Sequence, residues 1–494
     1  MREGYETLLL LAEHPALPAG DVDALIDAAD PQVLPVLARR PDLTAEQVAA
    51  LAAVGDRAVF LALVESGNLP AARVPRDDPQ ALLAGIERAD APTDWLELLA
   101  SWPDPLVRKA LAEHASQRPD IARIVAGDVD CSVAATVAPL DAVQDDVLPA
   151  LFARTEACLR VALAARHDAP AHLLADLITG GGSPALRGCP HLPDPAAALR
   201  EVRLAAAGNR ATPTEAVAPF AADPDVAMAR ALAGRRDLPP GSYERLVEMG
   251  DPLVTGRVAG NSAAPDHLLR RLYDTGWRDN VLNNWRTPLD VLVRHSRAGD
   301  GWVATDYHPD IDGLRVLAAD PDPKVRFVAA ASHRLPEDLR AALIDDPDLD
   351  VTRRAVSGSD VPAEDVRRAA ARWGPPIFTA LAAHPSAPPD LLHTIATHPD
   401  SPAGAVEGVA WQETASPATL EACLRVPSAA VCLAGNPSTP PAILAGLVSH
   451  PDPQVRTELA RNPALSSRTV HELLAHPRTV LTDSFGSDAI DDSE

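Results

Sequence analysis

AGNPSTPPAILAGLVSHPDPQVRTELARNPA, residues 434–464, contains two proline stops and two apolar stripes. Thr439 precedes Pro440, and a hydroxyl residue followed by proline predicts a helix start, with the hydroxyl as N-cap and proline at the first helical position. Leu444 and Leu447 fall four and seven places beyond that proline, on one helical face. Pro451 then arrives 15 residues before the next anchor, Ser466, and forces a turn, since proline cannot continue a helix. A second helix follows with Val455-Arg456, ten residues before Ser466, and closes at Asn462-Pro463. The Gly or Asn that recurs there predicts a C-cap. The stretch therefore encodes two short helices and two turns.

The same unit recurs along the chain. The anchor is Pro18, Thr44, Pro70, Pro92, Arg118, Gln144, Pro170, Pro213, Pro239, Pro265, Pro288, Asp312, Pro336, Pro362, Pro388, Pro417, Pro440 and Ser466. Ten of the seventeen intervals are 26 residues, with outliers of 29 and 43. Such a period predicts an all-α solenoid of about 18 two-helix repeats of 22–26 residues, running as one extended domain over 1–478. The apolar-Arg pair recurs at Val107-Arg108, Leu159-Arg160, Val202-Arg203, Trp277-Arg278, Val325-Arg326 and Val455-Arg456. A residue present in every unit serves stacking, so these arginines are expected to bond free carbonyls or the Asp of the preceding turn.

Hydrophobic residues make up 47% of the 494-residue chain but aromatics only 3%, which predicts thin, Ala-, Leu- and Val-packed helices. The net charge of −25 repels phosphate backbones, making nucleic acid an unexpected general ligand and a basic partner face an expected one. Cys131, Cys158, Cys189, Cys423 and Cys432 are scattered, odd in number and never in a C-x-x-C spacing. They are expected to be buried thiols in a reducing compartment, with neither a disulfide framework nor a thiolate metal site, and no cofactor is predicted. No apolar run approaches a membrane span, and a cytoplasmic location is expected. The acidic, Ser-rich residues 479–494 are expected to form a disordered tail.

The order T-P, a D-P or H-P turn, V-R, then L-A-x-N-P, at a period of about 24 to 26, resembles the leucine-rich repeat variant family of bacteria, related in style to HEAT and armadillo arrays. The resemblance spans about residues 4–478 and implies alternating α and 3₁₀ or short α helices in a right-handed superhelix. The family's best-known member carries an N-terminal iron–sulfur cluster. This chain has no cysteine before Cys131, so that cofactor is not implied here.

Function is expected where repeats differ. The 43-residue interval holds TGGGSPALRGCPHLPDP, Thr179 to Pro195, in an insert near 175–197 expected to be a dispensable surface loop. The irregular repeats near 266–335 concentrate Tyr273, Trp277, Trp285, Trp302 and Tyr307, five of seventeen aromatics, beside Arg278, Asn284 and Arg286. Those eight residues form the candidate binding site, because aromatic and Arg side chains dominate contact energy. His295, Asp300, Asp306, His308, Asp310 and Asp312 lie nearby without metal-ligand spacing, and no catalytic or metal residue is assigned. The expectation is a non-enzymatic scaffold for a protein or extended peptide. The alternative is a HEAT-like glycosylase- or lyase-type enzyme, using the aromatic repeats with Asp300 or Asp306 as acid.

Overall fold

The structure, a computed structural model, describes residues 2–141, 143, 147–180, 186–299, 311–358 and 360–476. Trp302, Tyr307, Asp300, Asp306, His308, Asp310, Gly181, Gly182 and the acidic tail lie outside the described residues. The described residues form thirty-four α-helices and four short 3₁₀ helices, with no strand among them. They pack as an α-solenoid: first helices stack on first helices, and second helices on second helices. No helix among the described residues is long and apolar enough to cross a membrane.

The helices group into two compact units, Met1–Val74 with Pro336–Glu494, and Pro75–Leu335. In the second, helices Pro105–Glu113, Cys131–Val137, Ala157–Ala165 and Pro195–Gly208 pack one on the next as a row of second helices. In the first, Phe378–Ala382, Ala403–Trp411, Ala429–Gly435 and Pro453–Arg461 do the same. Small residues set the spacing of that row. A Cβ at Gly408 would stand 3.0 Å from Ala382 Cβ, and one at Gly435 would stand 2.9 Å from the Trp411 ring.

The predicted stripe is the core: Leu444, Leu447, Leu392, Ile395, Leu269 and Leu272 are all buried. The predicted helix start needs correction. Pro440, Pro213 and Pro288 are themselves the N-cap residues, extended at ψ near 140°, and the preceding Thr lies outside the helix. Thr212 and Thr287 are buried and donate to Ala206 O and Val281 O, six residues back in the second helix. The amide three residues on is met by the proline's own carbonyl, as Ala216 N to Pro213 O, Val291 N to Pro288 O and Ile443 N to Pro440 O, and the Thr212 and Thr287 hydroxyls tie the two helices together instead. At Ser416-Pro417 the predicted start holds, with Ser416 as N-cap accepting Thr419 N and Pro417 at the first helical position, and where a hydroxyl residue is itself the anchor it also caps: Ser466 accepts from Thr469 N, and Thr44 forms a capping box with Gln47.

The D-P-D turns carry a relay of two steps. Asp320 Oδ1 accepts Asp322 N, and Asp322 then caps helix Pro323–Ala330 by accepting Lys324 N. Asp223 and Asp225 repeat this, as do Asp346 and Asp348; His450 Nδ1 replaces the first carboxylate before Asp452. Four of the six V-R arginines behave as expected, while Arg278 lies over the Tyr273 ring and the Arg203 Nε is buried without a hydrogen-bond partner. Arg108, Arg160, Arg326 and Arg456 each donate to the carbonyl six residues back, on Trp102, Arg154, Asp320 and His450, closing the turn between the two helices. Arg456 is buried, so its loss would leave the turn carbonyl uncovered.

The asparagines at the end of the second helix are its C-cap residues, as predicted, but in an extended rather than a left-handed conformation. Asn209, Asn436 and Asn462 are extended, at ψ 125°, 119° and 113°, and each is buried. Their side-chain amides cross to the preceding repeat. Asn462 Nδ2 donates to Ala434 O and Asn436 O at 2.7 and 3.0 Å, while its Oδ1 accepts Ala464 N. Asn436 donates in turn to Ala410 O and Gln412 O, and Gln412 to Ala382 O and His384 O. His384 continues the series: its Nδ1 accepts Ser386 N, so Nε2 carries the proton and donates to Gly358 O. In the other unit, Arg166, Asn209, Arg235, Asn261 and Asn284 form the same file, each donating to the carbonyl of the residue before it in the file or, for Arg166, to Ala138 O and Leu140 O. Arginine has no acceptor atom, and an Asp two residues on supplies the missing carboxylate: Arg166-Asp168 and Arg235-Asp237 are two-point pairs.

The first repeat enters this file from the far end of the chain. Helix Arg2–Glu13 packs on Pro453–Arg461, with Thr7 and Thr457 hydroxyls 3.2 Å apart and Arg461 paired to Glu6 at 2.6 Å. His14 accepts Ala16 N on Nδ1 and donates through Nε2 to Asn462 O at 3.1 Å, after which Arg40 reaches Ala12 O and His14 O. The last repeat thus supports the first as it would a sequence neighbour.

Two outcomes test this stacking. Asn462→Ala strips donors from two buried carbonyls, each costing about 1–3 kcal/mol when orphaned; urea melts are expected to show a loss of at least about 2 kcal/mol, and a loss under about 0.5 kcal/mol would remove the file from the ledger of stability. The second concerns acid. Hydrogen bonds from Arg40 and Arg166 hold the Asp42 and Asp168 carboxyls below the usual range, with burial opposing. The unfolded chain then binds more protons, so this stability is present above the unfolded value of about 3.9 and is lost as pH falls through the lower folded value. The stability gap between wild type and Asp168→Asn is expected to close as pH is lowered through that window.

Candidate functional site

The aromatic stretch divides between core and surface. Tyr273, on helix Asp266–Asp274, is buried: its hydroxyl lies 3.0 Å from His295 Nδ1, and the two rings meet edge to face. Arg294 and Arg278 guanidinium carbons lie 4.9 and 5.4 Å from its ring centroid. Asn284 is a member of the stacking file, bonded to Ala259 O and Asn261 O. Neither Tyr273 nor Asn284 is a contact side chain, because their positions are fixed by the interior. Trp277 is half-buried against Gly256, where a Cβ would stand 3.2 Å from the ring. That leaves Trp285, 39% exposed with the Arg286 guanidinium 6.0 Å from its ring centroid, and the exposed Arg278 as the surface part of the predicted site. Trp302 and Tyr307, also predicted for this site, lie outside the described residues.

A second surface feature carries no aromatic cluster and escaped the sequence reading. A cleft of about 390 Å³ is lined by Trp102, Pro103, Ile124, Val125, Gly127 and Val129, among others. Val129 is 93% exposed, an unusual state for a β-branched apolar side chain on a helical repeat. Arg108 and Asp128 form the polar wall, paired at 2.7 Å with both side chains largely buried, and Arg108 also holds Trp102 O. A rigid, already paired charge beside exposed apolar groups favours a ligand with apolar side chains over a free ion.

The insert is not a detached loop. Residues 186–192 dock on the start of helix Ala157–Ala165: Arg187 N donates to Thr155 O at 2.9 Å, and Ala157 N to Arg187 O at 3.1 Å. Cys189 and Leu192 exchange both backbone hydrogen bonds, closing a tight turn over Pro190 and His191. Gly188 is required there, since a Cβ would stand 2.9 Å from Pro193 O. Buried Cys131, Ala157, Cys189 and Ala198 pack together beneath the turn, with Cys158, Leu186 and Leu192 around them.

This docking brings three of the five cysteines to one place. The sulfurs of Cys131, Cys158 and Cys189 lie within 4.8 Å of one another, and the Cys158 thiol donates to Cys131 Sγ at 2.9 Å. Donor atoms of Asp130, Cys131 and His191 form an overlapping set within the same distance, with His191 Nε2 3.5 Å from Asp130 Oδ1. Burial raises the Cys131 and Cys158 thiols above the ordinary range. Burial acts on Cys189 too, but hydrogen bonds to its sulfur from the backbones of Cys158, Leu192 and His191 outweigh it and lower that thiol. The sequence signal was present but indirect: Cys131 and Cys158 are 27 residues apart, close to one repeat period, so stacking superposes them. Nothing local in sequence indicated that Cys189 would fold back onto them.

No family model matches this chain, and no curated protein matches it in sequence.

Replacing residues 186–192 by a Gly-Ser linker is expected to uncover Cys131, so that its alkylation by iodoacetamide accelerates in the folded protein while helicity by circular dichroism is retained. Unchanged Cys131 labelling would show that the docked turn does not shield it.

Proposed function

We propose that this chain is a non-enzymatic interaction scaffold that binds an apolar-containing segment of a partner protein, with the cleft of Trp102, Ile124 and Val129 as the contact. The supporting observation is the way polar groups are used. The recurrent Asn, Arg, His and Asp side chains are engaged in stacking, capping or closing turns, which leaves exposed apolar groups as the unsatisfied feature of this surface. The net charge of −25 favours a partner whose apolar anchors are flanked by basic residues, through steering at long range. We infer on the T-P, D-P, V-R and N-P motifs that the chain is kin to the leucine-rich repeat variant proteins. The glycosylase- or lyase-like alternative depends on Asp300 or Asp306, outside the described residues, and no observation favours it.

The test uses three variants of the full chain, Ile124→Asp, Val129→Asp and Trp285→Ala, compared for partner recovery from the native cell and for thermal stability. Loss of a contact anchor of about 2 kcal/mol lowers affinity roughly 30-fold. Both cleft variants are expected to lose the partner at that scale with an unchanged melt. Retention of the partner by both, with loss on Trp285→Ala, would move the contact to the aromatic surface.

A further inference from the structure

We propose that Cys131, Cys158, Cys189 and His191 bind one zinc ion, as a tetrahedral Cys₃His centre that fastens the insert to two successive repeats. The ligands come from three separated places: the first turn of helix Cys131–Val137, the first turn of helix Ala157–Ala165, and the turn over Pro190. Convergence of three of five cysteines is what a metal site requires and what hydrophobic packing alone does not, since any small apolar residue would fill this core.

The geometry suits zinc. With sulfur ligands at about 2.3 Å, a tetrahedral site places its sulfurs roughly 3.8 Å apart, within the 4.8 Å that encloses these three, and the Cys131–Cys158 pair, at 2.9 Å, would open by about 0.9 Å to take up the metal. Thiolate and imidazole donors select zinc over calcium or magnesium, which take oxygen. Cys189 and His191 lie two residues apart on one tight turn, and a His191 ring nitrogen lies within 4.8 Å of the Cys131 sulfur.

Asp130 supplies the outer support. Its carboxylate is fixed at the N-cap by Ser132 N and Oγ, both at 2.8 Å, and faces His191 Nε2. A carboxylate on one ring nitrogen orients the imidazole and leaves the other nitrogen for the metal. Coordination exchanges three thiol protons for one divalent cation, with no change of oxidation state.

The site also borders the cleft. Val129 immediately precedes Asp130, whose amide donates to Asp128 Oδ1 at 2.8 Å, and Arg154 holds Asp128 O at 2.8 Å. A metal at Cys131 would therefore brace the segment that carries the cleft's Asp128 and Val129. The metal proposal stands apart from the partner-binding reading, because its test measures metal content and needs no partner.

The full-length protein is purified under reducing conditions from zinc-supplemented growth, and its metals are counted by elemental analysis. About one zinc per chain is expected for wild type and for Cys423→Ser, with loss of the zinc in Cys189→Ser and His191→Ala. Because a variant could fail to fold, wild-type protein stripped of metal is also titrated with Co²⁺, which is expected to give the visible spectrum of a tetrahedral cobalt thiolate at one equivalent, with release of protons. Absence of bound metal with all thiols reduced, iron with inorganic sulfide in place of zinc, or a Cys131–Cys158 disulfide trapped by alkylation at lysis would each overturn the proposal.

Discussion

The interaction on which the rest depends is a side chain that donates across a repeat boundary to the carbonyl its predecessor left free. A second helix of seven to nine residues ends with carbonyls that have no intrahelical partner, and the next repeat covers them, so they lie beyond the reach of water. Asn436 and Asn462 solve this with one amide group each, accepting from their own turn and donating to the neighbour. Because each donor's own carbonyl becomes the next acceptor, registration is handed from repeat to repeat. A repeat shifted by one residue would orphan both ends of the bond.

Four residue types share this task, and their chemistry explains the substitutions. Asn and Gln carry donor and acceptor on one group; His does so across its ring, as in His14 and His384. Arg donates more but accepts nothing, and it occurs with an Asp two places on, which keeps a fully buried guanidinium neutralised at Arg166 and Arg235. The same requirement explains why the N-terminal repeat lies on the C-terminal one. An array normally needs polar terminal repeats to cover its last apolar face. Here Asn462 O and the face of helix Pro453–Arg461 are covered by His14 and helix Arg2–Glu13.

Variation from the unit is where chemistry other than stacking becomes possible. The insert, by docking at Arg187 and Cys189, adds a third sulfur to a pair that the repeat period had already aligned. The adjoining turn carries Val129 outward beside Trp102. In the shortened repeats, by contrast, Tyr273 fills interior space and Trp277 is half-buried against Gly256, and among the described residues Trp285 stands against solvent with Arg286 beside its ring.

The sequence by itself determined the period, the two-helix unit, the buried leucines and the closing role of the V-R arginines. Each of these is local, set by proline's missing amide, by the 3.6-residue turn of a helix or by a bond within six residues. Tertiary structure alone decided what Asn462, Thr287 and Cys189 do. Asparagine and threonine at a helix boundary have local capping roles that fit the sequence equally well, and only the neighbouring repeat supplies the carbonyls that draw Asn462 inward. Cys189 and His14 find their partners across 31 or more residues, through the docking of an insert and the meeting of first and last repeats. A periodic sequence specifies which faces stack, whereas contacts made by departures from the period depend on where the backbone brings them.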